Sequence, residues 1–408
     1  MKKWRNVFLV LAFGAVVSLV SFRVGENNVS VSTINGSECK APFDLDLMWK
    51  VKNSLSSVFL EKDKIDDKKM GYGAIAGMVA SLDDPYTVFL PPKENKSQNE
   101  DLQGQFGGVG IQLGYKDKTL VVMTPLAKTP AEKAGVLAGD LILKITDKQK
   151  GIDRDTVGIS LDEAVELIRG KAGTEVTLKM FREGKAEAYD VTLKREDIVI
   201  PSMELEFKEK DGKKFAWIKL YKFTEQIYKD WPGIVDKIIA EKGNNFGGII
   251  LDLRNNPGGY LQASVLVASD FIDKGVIVTQ VTASGKNEVY QVDQSRRKLL
   301  SEKLVVLING GSASAAEILA GALKDYKRAK LIGEKSFGKG TVQQPEDFPD
   351  GSGLHVTVAK WLLPLGKNIH KDGITPDVLV KYEPPKETDA KDKPDNQLDK
   401  AVETLLKI

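Results

Sequence analysis

The feature that most constrains the fold is an alternation of short apolar strands with amphipathic helices that begins near Lys214. The predicted strands are 215–220, 248–253 and 304–308, and the predicted helices are 227–241, 261–271 and 315–323. Such alternation is typical of an α/β layer arrangement, in which helices cover a largely parallel sheet. The sequence therefore predicts an α/β core in the carboxyl-terminal half of the chain.

The pattern differs in the segment 106–182, which contains short β-runs at 109–113, 120–123, 140–145 and 175–181. Two short helices are predicted between them, at 130–134 and 160–168. These elements predict a compact β-rich module of about 90 residues, an ordinary size for a small domain. A glycine turn at Gly107 and Gly108 precedes the first strand, and such a turn exposes backbone N–H groups.

The two ends of the chain are predicted to be helical. Apolar residues at helical spacing in 43–80 indicate two or three helices, which end where Asp84-Pro85 and Pro91-Pro92 interrupt the pattern. The charged, proline-bearing stretch 383–394 is typical of a linker, and a short amphipathic helix is predicted at 398–406.

The composition excludes several classes of protein. The chain has 408 residues, and its 59 basic and 57 acidic residues leave a formal net charge of +2. Because so small a charge attracts no polyanion, no nucleic-acid partner is expected. One cysteine, Cys39, and two histidines, His355 and His370, are too few for a disulfide framework or a thiolate zinc site. The sequence predicts neither a metal ion nor an organic cofactor.

The amino terminus has the charge pattern of an export signal. Lys2, Lys3 and Arg5 precede an apolar run at 7–22. The run is short for a spanning helix, which needs about 20 residues, and no clear cleavage site follows it. We therefore expect an exported protein, periplasmic or otherwise extracytoplasmic. A cleaved signal and an uncleaved inner-membrane anchor both remain open.

Residues 333–341 read GEKSFGKGT, and three kinds of chemistry could use them. A phosphate-binding loop needs Ser or Thr after its lysine and a helix there, but Gly340 follows Lys339 and the next residues are strand-like. A serine acylase of the S-x-x-K type would use Ser336, but the adjacent glycines are poor helix formers. Lys339 is then either a general base for a nucleophile in another segment or a plain surface lysine.

A candidate nucleophile lies in NGGSASAAEILAGAL, residues 309–323, which leaves a predicted strand and enters a predicted helix. Ser314 stands at the helix N-terminus, where neighbouring N–H groups and the helix dipole favour developing negative charge. Ser314 and Glu317 also match a capping box, so a purely structural role fits the same residues. On this motif alone both interpretations stay open.

A second glycine turn follows another predicted strand in LDLRNNPGGY, residues 251–260. Gly258 and Gly259 leave room for a substrate carbonyl to approach the backbone. If Ser314 is a nucleophile, the N–H groups of Ala315 and Gly259 are the predicted oxyanion hole.

Taken together, these motifs resemble the carboxyl-terminal processing proteases, a family of PDZ-bearing serine endopeptidases with a Ser-Lys dyad. The resemblance rests on FGGVGIQL, TPAEKAGVLAGDLILKI, LDEAVELIRGKAGTEVTLKMFR, DLRNNPGG, NGGSASAAEILAGAL, GEKSFGKGTVQ and GITPDV, and it covers nearly the whole chain. It implies a crotonase-like α/β core with Ser314 as nucleophile, Lys339 as general base and Gln343 as the residue that orients the lysine. Because an ammonium cannot accept a proton, Lys339 must be buried in an apolar pocket, and no carboxylate is expected beside it.

The resemblance further implies that the β-rich module is a PDZ domain that recognises substrate carboxyl termini and gates the site. Its ligand-binding residues are predicted to be Gly107, Gly108 and Val109, with the peptide added as a strand at the sheet edge. Arg169, at the end of a short helix, is the candidate sensor of the ligand, and a solvated helix-end arginine is the alternative. Dimerisation through the terminal helices is also implied.

The expected organisation has six parts: a signal peptide or membrane anchor (1–24), a polar linker (25–41), an N-terminal helical segment (42–96), a PDZ domain (97–195), a Ser-Lys protease core (196–382), and a linker with a C-terminal helix (383–408). The expected function is cleavage of protein substrates near their carboxyl termini. A PDZ-centred binding protein with an inactive core is a second hypothesis. A third, an acyl-CoA enzyme of the crotonase type, has no reason to carry a PDZ domain or an export signal.

Overall fold

The computed structural model describes residues 45–116, 119–383 and 395–408. The predicted segments 1–24 and 25–41 lie outside these residues, and so does most of the predicted linker 383–394. The chain divides into two units, residues 1–70 and 71–408. In the described part of the first unit, the helix Leu45–Val58 is followed by a 3-10 turn at Lys62–Lys64.

Several helices and strands coincide closely with the sequence prediction. In the described residues the α-helices are α1 (Leu45–Val58), α2 (Asp67–Ala80), α3 (Pro92–Gln103), α4 (Pro130–Lys133), α5 (Leu161–Ile168), α6 (Gln226–Glu241), α7 (Leu261–Ala268), α8 (Ala315–Asp325) and α9 (Asn396–Lys407). The strands are β1 (Val88–Leu90), β2 (Gln105–Gly108), β3 (Ile111–Lys116), β4 (Thr119–Pro125), β5 (Leu141–Asp147), β6 (Ile152–Asp155), β7 (Glu175–Phe181), β8 (Tyr189–Lys194), β9 (Glu196–Val199), β10 (Met203–Lys210), β11 (Lys213–Leu220), β12 (Phe246–Asp252), β13 (Val276–Thr282), β14 (Asn287–Gln291), β15 (Leu304–Ile308), β16 (Lys330–Gly333), β17 (Thr341–Asp347), β18 (Gly353–Leu362) and β19 (Val378–Leu379). Strands β7 and β15 match their predictions residue for residue.

The predicted α/β core is confirmed. Its six-stranded sheet has the order β10-β11-β12-β15-β16-β19, in which β10 is antiparallel to β11 and all later neighbours are parallel. Every residue of β15 is buried, which explains its continuous apolar sequence. The carboxyl ends of β12 and β15 meet at one edge of the sheet, so the loops that follow them are neighbours.

Helices cover both faces of this sheet. Helices α6, α7 and α8 pack on one face, where Trp231, Phe271 and Leu319 are completely buried. Helix α9 packs on the opposite face, where Ala401 and Leu405 contact residues of β12 and β15. The split follows from the alternation of side chains along a strand, because neighbouring residues of β12 point to opposite faces.

A second sheet, which is antiparallel, lies beside the core. The sequence analysis did not predict it. It has the order β1-β18-β13-β14, with β17 also paired to β18. Strand β1 comes from the segment before the β-rich module, whereas β18 comes from near the end of the chain. Pairing between such distant segments leaves no local pattern in the sequence.

The β-rich module is a separate body of structure inserted between α3 and β10. Its sheet has the order β3-β4-β5-β7-β8, with β6 paired to β5, and its core includes Leu120, Ile142 and Leu178. Strands β2 and β9, where the chain enters and leaves the module, pair antiparallel. The prediction of an α/β core with an inserted β-rich domain is therefore confirmed.

Arg254, which follows β12, ties the C-terminal helix to the loop that leads to the candidate site. Its guanidinium donates to Asp252 at 2.6 and 2.9 Å, to Asp395 at 2.8 and 3.0 Å, and to Gln397 at 3.0 Å. Burial alone would raise the pKa of Asp395, but the hydrogen bonds from Arg254 and from backbone N–H groups of α9 hold it below its usual range. A partly buried charge network thus holds α9 against the sheet.

Arg254→Met should lower the free energy of unfolding by about 3–5 kcal/mol, because it leaves the carboxylates of Asp252 and Asp395 without their counter-ion. Chemical unfolding followed by circular dichroism measures the change. Lys407→Ala, which removes an exposed ion pair with Glu403, is the control and should leave the midpoint unchanged. Equal midpoints for Arg254→Met and the wild type would show that the network does not stabilise the fold.

Candidate active site

Ser314 lies where the loop after β15 turns into α8. Its backbone has φ 54° and ψ −117°, a conformation that costs a non-glycine residue about 1–3 kcal/mol. Two hydrogen bonds hold the turn: the Ala313 N–H donates to the Asn256 carbonyl at 2.9 Å, and Ser312 Oγ donates to the Leu253 carbonyl at 2.8 Å. The surrounding loops therefore impose a strained conformation on the candidate nucleophile.

Glu317 joins the turn at Ser314 to the segment that carries Lys339. Its buried carboxylate accepts hydrogen bonds from the N–H groups of Ser314 at 2.9 Å, Gly338 at 2.7 Å and Lys339 at 2.9 Å, and from Ser336 Oγ at 2.6 Å. Burial raises the pKa of Glu317, although these hydrogen bonds oppose the shift. The carboxylate that the sequence assigned to a helix cap thus also holds Lys339, and Ser336 supports it.

Lys339 lies in a partly buried position beside an aromatic ring. Its Nζ is 4.8 Å from the centre of the Tyr86 ring. Burial lowers the pKa of Lys339, and the charges of Asp84 and Glu317 oppose this shift only in part. The amine form is therefore favoured relative to an exposed lysine, as a general base requires.

Gln343, on β17, reaches the same place but has other partners than the sequence suggested. Its Nε2 donates to Thr341 Oγ1 and to Thr357 Oγ1, each at 3.0 Å. Among the hydrogen bonds of the described residues there is none between Gln343 and Lys339. The orienting contact between these two side chains is absent from this conformation.

The glycine loop after β12 packs directly against the turn at Ser314. A Cβ atom on Gly258 would lie 2.7 Å from Ser314 Cβ and 3.0 Å from the Ala315 nitrogen, and one on Gly259 would lie 2.1 Å from the Phe223 carbonyl oxygen. Both glycines also have positive φ, at 102° and 131°. Only glycine fits at either position, and the two predicted oxyanion donors, Gly259 and Ala315, belong to the two segments that meet here.

A cavity of about 800 Å³ brings the candidate residues together. Ser314, Lys339, Gln343 and Gly259 all line it, although they come from three segments that are distant in the sequence. The volume lies in the range of ordinary ligand pockets, about 300–1,000 Å³. The cavity is therefore the candidate active site.

The predicted glycine turn of the β-rich module is not found at Gly107 and Gly108. Gly107 and Gly108 belong to strand β2, so the prediction of a turn at this pair was wrong. Val109 and Gly110 connect β2 to β3, both are buried, and Gly110 has φ 77°. Gly107 is needed for close packing instead, because a Cβ atom there would lie 2.1 Å from the Gly170 carbonyl oxygen.

Arg169 caps the carboxyl end of α5 and connects the module to helix α3. Its guanidinium lies 3.8 Å from the centre of the Phe106 ring and 3.7 Å from the carboxylate of Glu100. The side chain is 35% exposed and has partners on both sides. The alternative interpretation of Arg169, a solvated arginine at the end of a helix, therefore does not fit the structure.

The two histidines lie near the cavity in different ways. His355 lines it from β18, and burial lowers the pKa of this imidazole. The ring of His370 lies 6.1 Å from that of Tyr86. Within the described residues, neither imidazole forms a hydrogen bond with Ser314, so no Ser-His pair is present in this part of the chain.

Sequence reasoning missed the contribution of the segment DDPYT. Tyr86 and Asp84 were read only as part of a helix-breaking stretch, yet Tyr86 lines the cavity and the Asp84 charge acts on Lys339. The local pattern indicates a turn and nothing more. Only the pairing of β1 with β18, which is not visible in the sequence, carries these residues to the site.

No metal site and no spanning helix is found in the part of the chain that the structure describes. Among residues 45–116, 119–383 and 395–408, no group of three His, Cys, Asp or Glu side chains is arranged to hold a metal ion. No helix in the same ranges is both long enough and apolar enough to cross a membrane.

Comparison with known proteins identifies the class. Residues 214–380 match the model of peptidase family S41, residues 107–193 match a PDZ domain, and residues 12–94 match the activating protease CtpB N-terminal domain. The chain is therefore a serine peptidase that carries a PDZ domain and acts on protein or peptide substrates.

Two curated relatives that match most of the chain agree with this class. The carboxy-terminal processing protease CtpA of Bacillus subtilis (strain 168) is 37% identical over 383 residues, which are 93% of this chain and 78% of that protein. A protein named "Probable CtpA-like serine protease" from Staphylococcus aureus (strain COL) is 36% identical over 93% of this chain and 73% of its own length. The solved photosystem II D1 C-terminal processing protease is 28% identical, with a TM-score of 0.49 over 88% of this chain and 96% of that one. This chain belongs to the carboxy-terminal processing protease family.

Glu317→Gln should destabilise the protein and reduce peptide cleavage. A glutamine offers one acceptor oxygen where the carboxylate offers two, so some of the four buried donors lose their partner, at about 1–3 kcal/mol each. Thermal unfolding and hydrolysis of a model peptide measure the two effects. Ser336→Ala removes one of the four bonds to Glu317 and the bond from the Ile374 N–H, but it keeps the three backbone donors on the carboxylate, so it should reduce peptide cleavage less than Glu317→Gln. A Glu317→Gln variant with wild-type melting temperature and activity would contradict the role given to this carboxylate.

Proposed function

We propose that this protein is a serine endopeptidase that cleaves protein substrates near their carboxyl termini, with Ser314 as nucleophile and Lys339 as general base. One observation carries the assignment. Ser314, in a strained strand-to-helix turn, and Lys339, whose pKa is lowered by burial, line the same cavity. Strain and a shifted pKa are both concentrated at functional positions.

In the proposed reaction, Ser314 Oγ attacks the scissile carbonyl carbon while Lys339 Nζ accepts the hydroxyl proton. The N–H groups of Gly259 and Ala315 stabilise the oxyanion of the tetrahedral intermediate. Lys339 then returns the proton to the leaving amine as the C–N bond breaks. Water attacks the acyl-enzyme, and Ser314 regains its proton as the carboxylate product leaves.

Gln343 is proposed to orient Lys339 during this cycle. Its Nε2 is bonded to Thr341 and Thr357, which leaves the amide oxygen as the end that a lysine could donate to. In the proposed cycle, Lys339 Nζ donates to this oxygen while Nε2 keeps its bonds to Thr341 and Thr357. The conformation described above would then be a resting state.

The PDZ domain is proposed to bind the free carboxyl terminus of the substrate and to gate the cavity. The connection at Val109 and Gly110, together with the edge strand β3, is the proposed position for a peptide strand. Arg169 supports a gating role because its partner Glu100 lies on α3, and α3 also contributes Leu102 to the lining of the cavity.

We further propose that the protein is exported, to the periplasm or another extracytoplasmic compartment, with a tether through residues 7–22. The basic residues before an apolar run support this location. Dimerisation is proposed through α1, where Met48, Trp49 and Leu55 are exposed apolar residues. The apolar side of α9 already packs on the core, so α9 is not proposed for this role.

Ser314→Ala should abolish peptide cleavage, because it removes the hydroxyl that is proposed to form the acyl-enzyme. Loss of a capping hydroxyl costs only about 1 kcal/mol, so the thermal melt should remain cooperative. Lys339→Arg should also be inactive, since a guanidinium stays protonated. The double variant His355→Gln, His370→Gln should retain measurable proteolysis, and Ser284→Ala, in an exposed loop, is the control.

Labelling with a serine-reactive fluorophosphonate distinguishes the enzyme from an inactive binding protein. The wild type should be labelled at Ser314, and Ser314→Ala should not be labelled. A folded Ser314→Ala variant that keeps full activity would overturn the nucleophile. A folded but inactive double-histidine variant would overturn the dyad.

A substrate with a carboxyl-terminal amide should bind more weakly than its acid form. The amide lacks the charge-assisted hydrogen bonds to the N–H groups of the connection at Val109 and Gly110, worth about 1.5–3 kcal/mol each. Because PDZ binding is proposed to align the cavity, kcat should fall along with the rise in KM. Arg169→Gln should preserve the difference in binding but remove the difference in kcat. Equal kinetics for acid and amide on the wild type would mean that the module does not read carboxyl termini.

A further inference from the structure

The segment between α2 and α3 contributes to the active-site cavity from outside the region matched to peptidase family S41. That region begins at residue 214, whereas Tyr86 lies in the turn before β1. The Tyr86 side chain lines the cavity, and its ring centre is 4.8 Å from Lys339 Nζ. The surroundings of Lys339 are therefore incomplete without this segment, which we call the 84–87 turn.

Asp84 determines the shape of the 84–87 turn. Its carboxylate accepts the Tyr86 N–H at 3.1 Å and the Thr87 hydroxyl at 2.7 Å. Thr87 Oγ1 in turn accepts the Thr357 N–H at 3.0 Å, which fastens the turn to β18. Thr87 is buried, so this bond is shielded from water. The position of the Tyr86 ring is thus set by Asp84 and by the strand beside it.

The 84–87 turn also reaches Gln343, through Thr357. Thr357 Oγ1 accepts from Gln343 Nε2 at 3.0 Å, and the Thr357 N–H donates to Thr87 Oγ1, whose own hydroxyl donates to Asp84. Asp84, acting through Thr87, therefore helps to position Thr357, the residue to which Gln343 Nε2 is bonded.

We propose that the 84–87 turn is a positioning element for the general base, in which the Tyr86 ring shields Lys339 Nζ from water and Asp84 orients Gln343 through Thr357. The inference rests on the proposed Ser314 and Lys339 dyad. Tyr86 and Asp84 act through Lys339 and Gln343, so they are positioning residues and need not touch the reacting atoms.

Several charged and titratable groups act on Lys339, and they come from different elements. Asp84 and Tyr86 belong to the 84–87 turn, Glu317 to α8 and His355 to β18, and His370 packs against Tyr86. A ring face attracts an ammonium, whereas exclusion of water by the ring favours the amine. The negative charge of Asp84 favours the ammonium. Because burial is the largest influence on Lys339, we expect exclusion of water to outweigh the other two effects.

The test compares pH profiles of Tyr86→Ala and Asp84→Asn in the full chain. The readouts are kcat/KM for a model peptide and the rate of labelling by a fluorophosphonate. Both should rise with pH in the wild type, because only the amine form of Lys339 accepts a proton. We call this rise with pH the rising limb of the profile. Tyr86→Ala admits water and should raise the pKa of Lys339, so the midpoint of the limb should move to higher pH, with at least a tenfold loss of rate at pH 7.

Asp84→Asn should shift the limb in the opposite direction. It removes a charge that favours the ammonium, so the midpoint should move to lower pH. The plateau should fall several-fold, because an amide holds Thr87 more weakly than a carboxylate does and Thr357 and Gln343 are then less firmly positioned. Tyr86→Phe keeps the ring and should restore the wild-type limb. Tyr382→Leu, at an exposed tyrosine far from the cavity lining, is the control for a general effect of tyrosine loss. Thermal melts of all variants identify any that fail to fold.

Each outcome decides the inference. A limb unchanged in Tyr86→Ala, or moved to lower pH, would overturn the shielding role of the ring. If Tyr86→Ala fails to fold, the other two variants still test the inference. A wild-type pH profile for Asp84→Asn would overturn the positioning of Gln343. A limb displaced in Tyr86→Phe would overturn the role of the ring. Failure of the proposed function looks different, because the wild type itself would then show no labelling that depends on Ser314.

Discussion

One buried carboxylate holds the two halves of the site together. Transfer of an ionised carboxylate from water into a protein costs several kcal/mol unless hydrogen bonds replace its hydration. Four donors do so at Glu317, and three of them are the backbone N–H groups of Ser314, Gly338 and Lys339. The turn after β15 and the segment after β16 are therefore fixed to the same atoms. The relative position of Ser314 and Lys339 follows from the need to satisfy this carboxylate.

The strained backbone at Ser314 lies directly against the tightly packed backbone at Gly258. Ser314 adopts its positive φ only because neighbouring loops hold it there, and the loop after β12 approaches so closely that Gly258 cannot bear a side chain. A chain that packs two loops this tightly gives up conformational freedom and gains a fixed arrangement of N–H groups. Arg254 secures the beginning of the same loop through its bonds to Asp252 and Asp395.

Local sequence patterns were sufficient to predict the elements whose residue types are determined by burial or by close backbone packing. The buried strand β15, the helix after it and the glycines of the loop after β12 were all predictable, because burial and close approach restrict the residues at each position. The pair Gly107 and Gly108 misled because close packing and turn formation both select glycine. Tyr86 could not be found at all, since its role depends on the pairing of β1 with β18. Likewise, the double use of Glu317 requires knowing where Lys339 lies.

The pairing of β2 with β9 has a mechanical consequence for the inserted domain. The chain enters and leaves the PDZ domain through two adjacent strands, so the domain is joined to the core by a narrow two-stranded stalk. If the PDZ domain rotated about β2 and β9, the distance between the core ends of these two strands would not change. Such a rotation would therefore not require the core sheet to stretch or open. Contacts beside these strands, such as that of Arg169 with Glu100, would then limit the angle between the PDZ domain and the core.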